Sequence, residues 1–313
     1  MNKIMKYFII FIVGVILISG FLIYQGIYLP VDSNSEETIT FLVKKGEGAK
    51  EIALNLKDQG LIRYSSFFRA YSLIYNQADK LKAGEYELSF SMNIPQIIDK
   101  LASEDRIKKI ITIIEGWKLE DIEKYLKGQG IDMEESLASD LEGYLFPDTY
   151  EILPEDGFEE IIKMMTDNFE KKLTSELRQE IDFSGKTIPQ IIIVASLIEK
   201  EVRTLEDKKI VSGILWKRLE AAMPLQIDAT ITYITGKKSA EILKEELEID
   251  SLYNTYKYKG LPPGPICNPG LDSILAAIYP QESEYWFYLS TLTGETIFSR
   301  TLKEHNEAKA KYL

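Results

Sequence analysis

The steepest change in the hydropathy pattern comes at the start of the chain. Residues Tyr7 to Leu29 carry no charge and are mostly Ile, Phe, Leu and Val. About twenty such residues cross the hydrocarbon core of a bilayer. Lys3 and Lys6 precede the run, and Asp32, Glu36 and Glu37 follow it. Positive charge stays on the cytoplasmic side. The pattern therefore predicts a single-pass helix over 7–29, a cytoplasmic tail over 1–6, and the bulk of the chain outside the cell membrane. A cleaved signal peptide is the rival reading, but its apolar region spans roughly 7–15 residues and ends in small residues. The exit here, Tyr24 to Pro30, has no Ala-x-Ala-like site. Tyr24 and Tyr28 suit the outer interface.

Residues 31–37 are polar and acidic and read as a short linker. Thr38 to Val43 alternates like a strand, and Lys44 to Gly48 is a turn. Ala49 to Gln59 has helical spacing, with Ile52, Ala53 and Leu56 on one face and Gly60 as a stop. Ser65 to Tyr75 reads as a helix capped by Ser65 or Ser66. Lys82 to Phe90 is strand-like and Ile94 to Ala102 helical. Together these predict a small α+β module over 38–105.

A larger domain, 107–313, follows. Ile110 to Ile114 is a strand, and a Gly116 turn leads into a helix from Leu119 to Lys127. Gly157 to Leu177 reads as one long helical region. Ile188 to Arg203 is a markedly apolar helix and Asp207 to Ala222 an amphipathic one. Ile227 to Thr235 fits helix or strand, and Asp272 to Ile278 is a helix stopped by Pro280. Tyr285 to Ser290 and Glu295 to Phe298 flank a Gly294 turn as a hairpin. The fold class is α+β, with a transmembrane helix, a small module and a mixed helical and β domain.

Charge and rare residues narrow the chemistry. Past residue 31 the chain has 35 basic and 49 acidic residues, a net charge of −14. That argues against nucleic acid, whose phosphates need cationic partners. Cys267 is the only cysteine, so no internal disulfide forms, and burial is its expected fate. His305 is the only histidine, which excludes a paired-histidine zinc site and leaves at most one triad. No phosphate loop is present, and neither metal nor cofactor is expected. Acid–base chemistry then rests on carboxylates.

Glu199 ends the apolar run from Pro189, where desolvation raises a carboxyl toward a useful general acid. Glu201 lies two residues on, about 200° around the helix, so the two cannot share one cleft. Periodicity does not choose between them, and both also fit a solvated helix end near Lys200 and Arg203. Leu141 to Tyr150 combines Glu142, Asp148 and Tyr150 with aromatics, which suits either sugar binding or a core-packing turn. Gly260 to Gly270 is a Pro- and Gly-rich rigid loop that places Asn268, preceded by Asn254 and Tyr256. Gln226 and Asp228 stand two apart in an apolar setting.

These stretches occur in a familiar order. Glu142-Gly-Tyr-Leu-Phe-Pro-Asp-Thr-Tyr150, Ala195-Ser-Leu-Ile-Glu-Lys-Glu201, Leu225-Gln-Ile-Asp-Ala-Thr230, Tyr253-Asn-Thr-Tyr256, Gly260-Leu-Pro-Pro-Gly264 and Asn268-Pro-Gly270 resemble the membrane-bound endolytic murein transglycosylases. Each motif is weak, but six in order after one anchor are specific. The resemblance makes the module over 38–105 LysM-like and the domain over 107–313 catalytic. It implies cleavage of the β-1,4 bond between N-acetylmuramic acid and N-acetylglucosamine within nascent glycan strands. The product carries a 1,6-anhydro end, and strand elongation stops. It nominates Glu199, the first Glu of the Glu-Lys-Glu stretch, as catalytic. Glu142, Asp148, Tyr150, Glu201, Gln226, Asp228, Asn254, Tyr256 and Asn268 would line or brace the cleft. The expected partners are peptidoglycan glycan strands and the synthases that make them. Ile227 and Ala229 depart from the family pattern, which puts cleft shape in doubt rather than activity. A non-catalytic glycan-binding scaffold and a His305-based hydrolase are the alternatives.

Overall fold

The computed structural model describes residues 3–133, 136–154, 156–238, 241–291 and 293–312. The chain divides into two compact units, residues 1–110 with 151–156, and residues 111–150 with 157–313. The short return over 151–156 joins the first unit, although its sequence position lies well inside the second.

The first unit opens with helix α1 (Lys3–Tyr28), followed by β1 (Thr38–Val43), α2 (Ala49–Asp58), α3 (Ser65–Ile74), β2 (Gly84–Ser89) and α4 (Ile94–Ala102). Most of α1 packs against no protein surface, as its apolar run from Tyr7 implies. β1 and β2 pair antiparallel, Phe41 opposite Tyr86 and Val43 opposite Gly84. The period-two alternation sends Phe41, Val43, Tyr86 and Leu88 to one face. There they meet Ile52, Ala53 and Leu56 of α2, Phe68 of α3, and Ile97, Ile98 and Leu101 of α4. A reciprocal cap between Asn93 and Gln96 fixes the start of α4. Helix α3 starts without the serine cap its sequence suggests, because Tyr64 occupies the cap position and makes no side-chain bond there.

The end of α1 is fastened to this unit. Gly26 is buried, and a Cβ there would lie 2.2 Å from the Phe67 ring, so only glycine admits this approach. Arg63 donates to the carbonyls of Leu29 (3.4 Å) and Val31 (3.0 Å), and Asn93 to that of Tyr28 (3.4 Å). The Asp32 amide donates to Phe90 O at 3.1 Å, so the segment read as a free linker begins on the surface of the unit.

β3 (Lys109–Thr112) and β4 (Thr149–Ile152) form a two-stranded ribbon. The second unit holds α5 (Leu119–Gly128), α6 (Phe158–Lys172), α7 (Ser175–Phe183), α8 (Ile188–Glu201), α9 (Leu205–Glu220), α10 (Asp228–Thr235) and α11 (Leu271–Ile278). The hairpin of β5 (Phe287–Ser290) and β6 (Thr296–Ser299) and then α12 (Leu302–Tyr312) complete it. Helix α8 is its axis, buried on every side from Ile191 to Ile198 and packed against α7, α9, α10 and α11. The long helical region expected over 157–177 is two helices. Thr174 breaks it by accepting the Leu177 amide as the cap of α7 (3.4 Å). The ambiguous segment after Ile227 is helix α10, ended by Gly236 at φ 71°.

Candidate active site

Helix α8 begins with a reciprocal cap. The Gln190 amide donates to Thr187 Oγ1 (3.4 Å) and the Thr187 amide to Gln190 Oε1 (2.9 Å). A core helix that is apolar all round has one place to carry charge, its end. There Glu199, Lys200 and Glu201 emerge before Val202 turns to extended backbone. The two carboxyls take different partners, as residues two apart on a helix tend to, although both border a small hollow of about 260 Å³ with Val202, Arg203 and Ser290.

Glu199 turns toward α9 and α11. Both of its oxygens lie 3.3 Å from Lys208 Nζ, and the two side chains are 9% and 5% exposed. Ser273 Oγ (2.5 Å) and the Gly270 amide (3.1 Å) donate to Oε2. These donors tie the end of α8 to α9 and to the start of α11. Glu115 approaches the same place, and its carboxyl is raised by burial and by the neighbouring Glu199.

Glu201 turns the other way, into a cleft of about 490 Å³. Arg218, Gln226, Asp228, Tyr256 and Tyr288 line this cleft with it. Burial, with the charge of Asp228 adding, pushes the Glu201 carboxyl up to about 7, against bonds from the Tyr288 hydroxyl and the Ala229 amide. A carboxyl that still holds its proton near neutral pH is what general acid catalysis needs. Tyr256 donates to Asp228, and burial raises the Tyr256 and Tyr288 hydroxyls, which keeps them as donors. Arg218 is fixed by the carbonyls of Trp286 (2.9 Å) and Leu225 (2.7 Å). Gln226 holds a left-handed backbone, φ 55°, rare outside glycine, with its amide bonded to Thr255 O (3.1 Å). Strain of this kind gathers at functional sites.

The other nominated residues lie elsewhere. Asn268 accepts the Leu145 amide (3.0 Å) and donates to Trp117 O (3.0 Å) and Glu142 Oε1 (3.2 Å), tying three loops together. Burial pushes the Glu142 carboxyl up to about 7 as well. Gly143 beside it has φ 86°, and a Cβ there would meet Pro265 at 2.6 Å. Asn254 donates to Leu247 O and Ile249 O (both 2.9 Å). Asp148 and Tyr150 share the amide of Asn168 on α6, and Tyr150 also bonds Phe146 O (2.5 Å). Phe146 and Tyr150 are buried in the core, while Tyr144 is half-buried against Phe169. Cys267 is buried and its thiol is raised by that burial.

His305 also lines the Glu201 cleft, stacked on Phe287 at 5.2 Å. Its buried Nδ1 has no partner among the described residues, so no carboxylate orients it as a triad requires. Burial and two cations keep it neutral. Sequence reading missed Arg218, Lys208, Ser273 and Tyr288. Of these Arg218 had a signal, a charge on the inward stripe of α9 beside Ile214 and Leu215. A larger hollow of about 880 Å³ lies between α6 and the 132–141 loop, far in sequence from these carboxyls.

Comparison with known proteins gives consistent matches. The model of the YceG-like family matches residues 41–311. A Bacillus subtilis (strain 168) protein named endolytic murein transglycosylase is 34% identical over 334 residues, covering 95% of this chain and 91% of that protein. A Streptococcus pneumoniae serotype 2 protein of the same name is 30% identical, with 98% of this chain and 65% of its own length covered. The crystal structure of a yceG-like protein from Listeria monocytogenes superposes with a TM-score of 0.55 at 32% identity, over 87% of this chain and 99% of that one.

Proposed function

The chain belongs to the YceG-like family, and from that premise we propose that it is an endolytic murein transglycosylase, a lyase acting on peptidoglycan. It cuts the β-1,4 bond between N-acetylmuramic acid and N-acetylglucosamine in nascent strands. The Glu201 cleft carries the reading: a carboxyl near 7 faces Asp228, Tyr288 and Arg218 there.

Glu201 is the proton donor in this mechanism. Its proton goes to the glycosidic oxygen as the bond from that oxygen to C1 breaks. The muramoyl 6-oxygen then closes on C1, and its proton returns to the Glu201 carboxylate. No water is consumed, and one carboxyl serves both steps, unlike the two that hydrolases use. Tyr288 and the Ala229 amide orient Glu201, while Asp228 raises it. The motif resemblance nominates Glu199, which meets Lys208, Ser273 and the Gly270 amide and borders a small hollow with Glu201, as the rival proton donor.

The test compares two variants on uncrosslinked glycan strands, with end groups identified by mass spectrometry. Glu201→Gln is expected to lose about 10²- to 10⁴-fold in rate. Glu199→Gln, where it folds, retains anhydro product. The reverse pattern returns the proton transfer to Glu199. Reducing muramic ends would mean a hydrolase, and binding without product a glycan-binding scaffold.

The rest of the reading concerns place. The apolar run of α1 supports a single-pass anchor with its N-terminus in the cytoplasm and the two units outside. The β1–α2–α3–β2 order of the first unit supports its LysM-like character. Glycan strands are the substrate, and the synthases that extend them are the fitting partners.

A further inference from the structure

Helix α3 has two apolar sides. Phe68 points into the core of the first unit. Tyr64, Phe67 and Tyr71 form a second stripe at helical spacing beside α1, where Phe67 lies on Gly26 and Tyr71 meets Tyr28 edge-on at 6.4 Å. Tyr64 is 55% exposed and Ile74, farther along the stripe, 74%. A groove of about 370 Å³ opens between the two helices, walled by Leu22, Leu29, Tyr64 and Phe67. Arg63 stands at its rim.

The partner of this surface follows from its depth. Leu22 and Gly26 belong to the uncharged run that crosses the bilayer. Leu22 precedes the end of α1 at Tyr28 by six residues, and at about 1.5 Å per residue it lies on the order of 9 Å below that end. A segment packed against Leu22 is therefore at the boundary between headgroups and acyl chains, where interfacial helices sit about 5–10 Å deep. Tyrosine suits that boundary, with an apolar ring and a hydroxyl that reaches water.

We propose that the start of α3 is a membrane-interface element that seats the first unit on the outer leaflet, with a phospholipid acyl chain in the groove between α1 and α3. Arg63 spends two donors on the carbonyls of Leu29 and Val31. A guanidinium has five N–H groups, so the remaining ones face a lipid phosphate. The anchor is thus a two-part contact, a spanning helix and the start of α3 beside it. This rests on α1 spanning the bilayer.

The test uses the full-length chain in phosphatidylglycerol and phosphatidylethanolamine vesicles. Single cysteines for nitroxide labelling are introduced over Cys267→Ala as Ile16→Cys in α1, Tyr64→Cys and Ser66→Cys at the start of α3, and Lys45→Cys in the turn after β1. Collision with lipid-dissolved oxygen is compared with collision with an aqueous nickel chelate. The label at residue 64 is expected to favour oxygen, as the one at 16 does, while the label at 45 favours nickel. The label at 66, on the groove wall, reports the same depth if the one at 64 disturbs packing. Labels at 64 and 66 as open to nickel as the label at 45, with residue 16 in lipid, overturn the interfacial seat alone. A label at 16 open to nickel overturns the spanning helix and the proposal together.

Discussion

At the end of α8, Lys200 separates two carboxyls held by different partners. Glu199 is tied to a cation that is itself only 5% exposed at the side chain. Removing one member of such a pair strands the other, at a cost of about 3–5 kcal/mol. Urea unfolding of Glu199→Gln is expected to show a loss of that order, and Lys208→Met with Glu199→Leu a smaller one. Glu201 sets a pH dependence instead. Its folded value, about 7, lies above the ordinary value of 4.5, so the folded state holds the proton more tightly. The resulting stabilisation is complete below pH about 4.5 and is lost as pH rises through about 7. Urea midpoints at pH 5 and pH 8 should differ less in Glu201→Gln than in the parent. Cleavage by the parent should fall above pH about 7, where the donor loses its proton. Sequence reading found both glutamates because a charged end on an apolar helix is conspicuous. It could not weigh them, since the deciding groups, Lys208, Ser273, Asp228 and Tyr288, come from elements distant in sequence.

At the scale of elements, α8, α2 and the two strands of the first unit were legible, because their apolar patterns hold over their length. The split between α6 and α7 was not. The apolar spacing runs through it, and one threonine with a free oxygen decides the break. Thr174→Ala should cost about 1 kcal/mol, within the usual range for a lost cap, and lower the urea midpoint without changing cleavage. Helix α12 escaped notice because its face is mostly charged and only His305 is buried. It nonetheless supplies one side of the Glu201 cleft. The close approach of α1 to α3 rests on Gly26, which hydropathy counts as one more small residue in an apolar run. Gly26→Leu should force the Phe67 ring aside, and labels at Tyr24 and Tyr71 should move apart by paired-spin distance measurement.

At the scale of the whole molecule, composition said that an acidic, disulfide-free chain follows one apolar span. It did not say that the chain leaves the span already bound. Arg63, Asn93 and the Asp32 amide take up the first residues after α1. This gives a further expectation about the linker. Inserting a flexible stretch among residues 33–37 should shift where strands are cut less than the same insertion before Gly26, and glycan-length profiles would measure the difference. The fastening also bears on how tightly the cleft must bind. On the proposed anchoring, a strand growing from the bilayer and an enzyme seated in it are confined to one thin layer, so their encounter is effectively intramolecular. Short tethers give effective concentrations in the mM range. The enzyme can then work on its own membrane with a weak grip and a fast release, and cut strands drifting free in solution far less often.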